Sequence, residues 1–77
     1  MADQDSHTIE PTLLDVVALL AAKPDDDLRR GEVGTVVEDL DAATVLVEFS
    51  DDEGRAYAIV PCRRSELLVL HTVSRAA

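Results

Sequence analysis

The sequence predicts an all-β domain, a small antiparallel barrel or rolled sheet. Three observations carry that expectation. Four segments rich in Val, Thr, Ile, Leu and Phe read as strands, at 33–38, 44–49, 55–60 and 67–70, and a fifth apolar segment precedes them. The connections between them are mostly under about ten residues and are marked by Gly, Pro and Asp. Finally, 77 residues with 47% hydrophobic side chains suffice for one compact core and leave no room for a second domain.

In chain order, Met1 to Thr8 are polar and mostly small. They read as a loose arm, and the expected organisation is an arm at 1–11, a barrel at 12–71 and a tail at 72–77. The apolar run Leu13 to Leu20 has two readings. As a helix it aligns Leu13, Val16, Val17 and Leu20, with Pro11 in the first turn. As a strand it aligns Leu14, Val16, Ala18 and Leu20, and the Val-Val pair favours the pleat. Local pattern alone leaves the two level.

Lys23-Pro24-Asp25-Asp26-Asp27 reads as a loop, because proline disfavours helix before it and aspartates bond nearby backbone N–H groups. Gly31 and Gly34 then flank a strand in which Val33, Thr35 and Val37 point one way and Val36 and Glu38 the other. After a short turn, Thr44 to Phe49 alternates cleanly, with Val45, Val47 and Phe49 as the core set. Asp51-Asp52-Glu53-Gly54 is the strongest hairpin signal. The strand Arg55–Val60 that follows is expected to stop at Pro61. Arg63 to Glu66 reads as a polar connector with one 3₁₀ turn, and Leu67 to Leu70 as the last strand. Closure of the sheet would remove edges open to pairing between molecules.

Three segments in order carry a family resemblance: Leu14-Asp15-Val16-Val17-Ala18-Leu19, Arg30-Gly31-Glu32-Val33-Gly34-Thr35-Val36-Val37, and Val47-Glu48-Phe49-Ser50-Asp51 followed by Gly54-Arg55. Together they resemble a family of small bacterial proteins known as domain of unknown function number forty-nine twenty-six, over about residues 13–70. The Gly31 to Val37 element is also similar to the turn and strand of SH3-like and KOW-type barrels. The resemblance implies a five-stranded SH3-like barrel with Leu14 to Leu20 as its first strand. It implies no chemistry. Relatives tend to carry glycine where Asp27 stands, and aspartate tolerates a left-handed backbone better than most residues.

Charge narrows the functional classes. Sixteen acidic side chains against seven basic ones give a net charge of -9. Phosphate binding needs clustered Lys and Arg, and base stacking needs aromatics. Here the basic residues form only the pairs Arg29-Arg30 and Arg63-Arg64, and the aromatics are Phe49 and Tyr57. A KOW-like nucleic-acid or ribosome-associated role therefore stands as the alternative that the charge opposes. Two aromatics cannot build the groove that holds proline-rich ligands.

Catalytic and metal constellations are equally thin. His7 and His71 sit toward opposite ends, and Ser50, Ser65 and Cys62 lack a nucleophile context. Asp25–Asp27 and Asp51–Glu53 lack the alternating spacing of a calcium loop. Neither an enzyme nor a bound cofactor or metal is expected. The lone Cys62 reads as a small buried hydrophobe and suits a reducing compartment. The arginine pairs read as surface tethers for neighbouring aspartates, each of little energetic weight. The acidic first residues are not the basic start of a secretory signal, and no apolar run reaches membrane-spanning length, so a cytoplasmic location is expected.

The expected function is a non-catalytic protein-interaction module: a regulator, an antitoxin-like or immunity-like partner, or an accessory subunit. Its partner is expected to be basic and encoded nearby. The expected contact residues are Asp25, Asp26, Asp27, Asp51, Asp52, Glu53 and Tyr57. Oligomeric state is left open by the sequence, with the uncapped Leu67–Leu70 edge as the place where a homodimer could pair.

Overall fold

The computed structural model describes residues 10–71. The expected tail at 72–77 and residues 1–9 of the expected arm lie outside the described residues. Glu10 and Pro11 lie within them, and Pro11 is buried. Five strands follow: β1 (Val16–Leu19), β2 (Val33–Asp39), β3 (Thr44–Ser50), β4 (Ala56–Arg63) and β5 (Leu67–Val69). Short 3₁₀ turns at Pro24–Asp26 and Arg64–Glu66 interrupt the connections. The fold is all-β, as the sequence predicts. All pairings are antiparallel and the strand order is β4-β3-β2-β1-β5.

The ambiguous first segment is a strand, and it lies between β2 and β5. Its two-sided position explains the outcome. A strand offers backbone donors and acceptors to both neighbours, whereas a helix satisfies its own. Val17 and Leu19 face the core, so the set aligned in the strand reading, Leu14, Val16, Ala18 and Leu20, is the outward one.

The core gathers Val17, Leu19, Leu28, Val36, Val45, Val47, Phe49, Val60, Cys62 and Leu67. Val45, Val47 and Phe49 are fully buried, in agreement with the alternation of β3. Burying each such side chain contributes about 1.5–3 kcal/mol, so this single stripe outweighs any surface ion pair in the molecule. Gly34 makes the packing possible. An added Cβ there would lie 2.6 Å from Val47 Cγ1 and 2.8 Å from the Glu48 carbonyl oxygen. The position accepts only glycine without movement of β3.

Two bulges correct the strict alternation. Val36 pairs with Val47 and Glu38 with Leu46, leaving Val37 as the extra residue of β2. Glu38 is thereby exposed rather than sharing the inward side with Val36. On β4, Ala58 pairs with Phe49 and Ala56 with Ser50, leaving Tyr57 extra. β4 also runs through Pro61 to Arg63 instead of stopping. The reason is its place at the sheet edge. Alternate N–H groups of an edge strand face away from the single neighbour, and there a missing donor costs no ladder bond. The next N–H of that outward set, on Arg63, is capped by the Glu66 carboxylate at 2.9 Å.

The sheet rolls without closing, since β4 and β5 are its two edges and do not pair. The β1–β2 connection supports this seam. Lys23 and Leu28 bridge around the 3₁₀ turn and bury Leu28, while Lys23 Nζ reaches Glu66 Oε1 at 3.4 Å between β4 and β5. The Leu20 N–H donates to the Glu66 carbonyl at 2.8 Å.

Candidate partner-binding surface

The Asp25–Asp27 segment forms the exposed crown of the β1–β2 connection. Pro24 opens the 3₁₀ turn, and the Asp27 N–H donates to the Pro24 carbonyl at 3.1 Å. Asp27 is left-handed, with φ 59, a conformation that aspartate tolerates better than most residues. Its role is to turn the backbone so that Leu28 enters the core. Asp25 and Asp26 point to solvent, and their carboxylates have no hydrogen bond or ion pair among the described residues.

The Asp51–Glu53 hairpin is more occupied. Asp51 Oδ1 accepts from the Glu53 and Arg55 N–H groups at 2.9 Å each, and the Gly54 N–H donates to the Asp51 carbonyl. Gly54 takes φ 82 to complete the turn. Arg55 folds back to pair with Glu53 at 2.8 Å and with Asp51 at 3.6 Å. Of the three acids only Asp52 remains without such a partner among the described residues. The β1–β2 connection and this hairpin leave the sheet at the same end, beyond the pairs Ala18–Val33 and Ser50–Ala56.

Tyr57 joins these two elements. It is the bulged residue of β4 and half-exposed, and its hydroxyl donates to Glu32 Oε1 at 2.6 Å. Glu32 also accepts from the Arg29 N–H at 2.8 Å. The Tyr57 bond, then that backbone bond, hold the Glu32 carboxyl below its usual range. The same bond, joined by a little burial, pushes the Tyr57 hydroxyl up. Sequence reasoning included Tyr57 and missed Glu32, because nothing local links residues 25 positions apart.

The sequence also undervalued Arg64. Its side chain is only 16% exposed and holds Asp39 Oδ1 at 3.0 Å. It also donates to the carbonyls of Ala42 at 2.9 Å, Asp41 at 3.1 Å and Pro11. It is an internal staple for the β2–β3 turn and the start of the described chain. A cleft of about 560 Å³ opens beside it, lined by Glu10, Pro11, Asp41–Thr44 and Arg63–Ser65.

Cys62 is buried as expected, and burial pushes its thiol up, away from the reactive thiolate. Among the described residues no group of three or more His, Cys, Asp or Glu side chains is arranged to hold a metal. Among the described residues, no helix is long and apolar enough to cross a membrane.

The family model described as Domain of unknown function (DUF4926) matches residues 13–69. The chain belongs to this family. The match runs from the turn before β1 to the last residue of β5, so it covers the whole sheet. The five-stranded antiparallel order is consistent with the SH3-like barrel that the resemblance implied. Comparison with curated proteins and with solved structures returned no match.

Proposed function

We propose that this chain is a non-catalytic interaction module that docks a basic protein through its acidic loops, as a regulator, an antitoxin-like or immunity-like partner, or an accessory subunit. The observation that carries the reading is the state of Asp25, Asp26 and Asp52. All three are exposed at one end of the sheet, and the carboxylate of each lacks a hydrogen bond or ion pair among the described residues. On a chain of net charge -9 such acids attract cationic surfaces and speed encounter.

The shifted titratable groups support the same reading. Glu32 and Glu66 are held low by hydrogen bonds within the fold, and Cys62 is raised by burial. Each shift has a structural cause that involves no reacting centre.

The test uses a fluorescent oligolysine peptide as probe and reads anisotropy at low and moderate salt. Reversing Asp25 and Asp52 together to lysine should weaken binding about tenfold and flatten the salt dependence. Reversing Glu10 and Asp41, an equal charge change at the Arg64 cleft, should weaken it less than about threefold. Equal losses from both variants would sink the placement. A gel shift with duplex RNA at low salt should show no complex, and a complex would favour the nucleic-acid alternative.

A further inference from the structure

The outward face of β5, β1 and β2 carries an uncharged strip that the acidic-loop reading does not use. On it, Ala18 lies directly across from Leu68 on one side and from Val33 on the other. Leu68 is 51% exposed and Val33 46%. Leu20 extends the strip past one end of β1 and Leu14 past the other. The next outward pair, Val16 and Thr35, is also uncharged, although 30% of the chain is charged. Single exposed leucines need no explanation, but a continuous apolar row across three strands does.

Leu14 supplies an independent observation. It is 72% exposed and sits in the left-handed region with φ 72, where a leucine is strained. The turn enforces that geometry. Asp15 Oδ2 accepts from the Thr12 N–H and hydroxyl at 2.9 and 3.2 Å, and the Asp15 N–H donates to the Thr12 carbonyl at 3.0 Å. The Leu14 N–H then donates to the Val36 carbonyl at 2.7 Å, pinning the residue beside β2. Folding gains little from this arrangement. Glycine would relieve the strain, and the leucine side chain is barely buried in return. Strain held in place by surrounding bonds while a large apolar side chain is presented to solvent is the pattern of a contact site.

The charges beside the strip identify its occupant. Glu48 lies directly across from Thr35, and Glu38 follows the Val37 bulge on the same flank. A second copy would bring these carboxylates, and a net charge of -9 on each chain, against themselves. We propose that this face docks an amphipathic segment of a basic protein, its apolar side chains on Leu14, Ala18, Val33 and Leu68 and its lysines or arginines toward Glu38 and Glu48. The inference rests on the reading that the partner is basic, and it assigns the apolar half of that contact.

The test compares two probes in near-physiological salt, a 14-residue alternating leucine–lysine peptide and an oligolysine of equal charge. The wild-type protein should bind the leucine–lysine peptide at least about tenfold tighter. Leu14→Gly, which removes the strain and should melt no lower than wild type, is expected to lose most of that preference. Leu68→Thr, checked for an intact fold by circular dichroism, should do the same. Unchanged preference in both variants would overturn the inference, as would equal affinity of the wild type for the two probes. A dimer seen by sedimentation and broken by Leu14→Gly would also overturn it, because the face would then belong to a second copy. The loop reversals separate the two readings. If Asp25 and Asp52 reversal abolishes binding of both peptides while the leucine variants change nothing, the acidic-loop reading stands and this one falls. If only the leucine variants matter, the strip stands and the loop placement falls.

Discussion

Replacing Gly34 with alanine inserts a methyl group at the closest approach between β2 and β3. The new Cβ would lie 2.6 Å from Val47 Cγ1, 2.8 Å from the Glu48 carbonyl oxygen and 2.9 Å from Phe49 Cδ1. Comfortable carbon contacts are about 3.5–4.0 Å, so all three neighbours must retreat. None can do so cheaply. Val47 and Phe49 are fully buried, and the Glu48 oxygen is backbone of a strand paired on both sides. Overpacking a core usually costs about 1–3 kcal/mol, and a clash that includes backbone belongs at the top of that range. Alanine returns up to about 1 kcal/mol by restricting the unfolded chain, for a net loss of about 2–3 kcal/mol. A chain of this size has total stability of about 4–12 kcal/mol, so the variant forfeits a large part of it. Urea unfolding followed by far-ultraviolet circular dichroism would measure the loss. With a slope of about 1 kcal/mol per molar, the midpoint should fall by about 2–3 M. Gly54→Ala is the control. Nothing lies within 4 Å of its added Cβ, and only the φ of 82 opposes it, so about 1 kcal/mol is expected. A Gly34→Ala midpoint within about 0.5 M of wild type would refute the close approach of these strands.

Two further predictions concern polar contacts made across long stretches of chain. Arg64→Ala should cost about 2–3 kcal/mol in the same unfolding assay, since it removes the Asp39 pair, leaves the Ala42 and Pro11 carbonyls without their donor, and leaves the Asp41 carbonyl only the Thr44 N–H. Arg64→Lys should recover less than half of that, because an ammonium cannot reproduce the guanidinium fork. Tyr57→Phe tests the bond to Glu32 through pH. The Glu32 carboxyl is held below its ordinary 4.5 in the fold, so its contribution is present above pH 4.5 and is lost as pH falls through the lowered value. The Tyr57 hydroxyl is raised above its ordinary 10.0, so its contribution is present below pH 10 and is lost as pH rises through the raised value. The stability difference between wild type and Tyr57→Phe should therefore form a plateau between these limits and shrink at both ends. A difference that does not vary with pH would show that the bond does not contribute.

What the sequence could determine was local. The alternation of β3 placed Val45, Val47 and Phe49 in the core, because side chains on a strand alternate whatever surrounds them. The Asp51–Gly54 hairpin and the left-handed turn at Asp27 follow from the chemistry of residues a few positions apart. The acidic loops were legible for the same reason, although Asp51 and Glu53 proved to be engaged with the turn and Arg55.

Tertiary structure decided the rest. Which side of β1 faces inward depends on β2 and β5 flanking it, and β5 is some fifty residues distant in sequence. β4 passes through Pro61 only because it ends up at the sheet edge. The bulges at Val37 and Tyr57 arise from register between strands, and the second of them sends Tyr57 to Glu32. Arg64 looked like one of a pair of surface charges, yet its partners are mainly carbonyls, which every residue carries and no motif marks. The strip through Leu14, Ala18, Val33 and Leu68 exists only once three separate segments lie side by side. Residue type sets which local conformations are cheap, while which surfaces meet is set by the packing of the whole sheet.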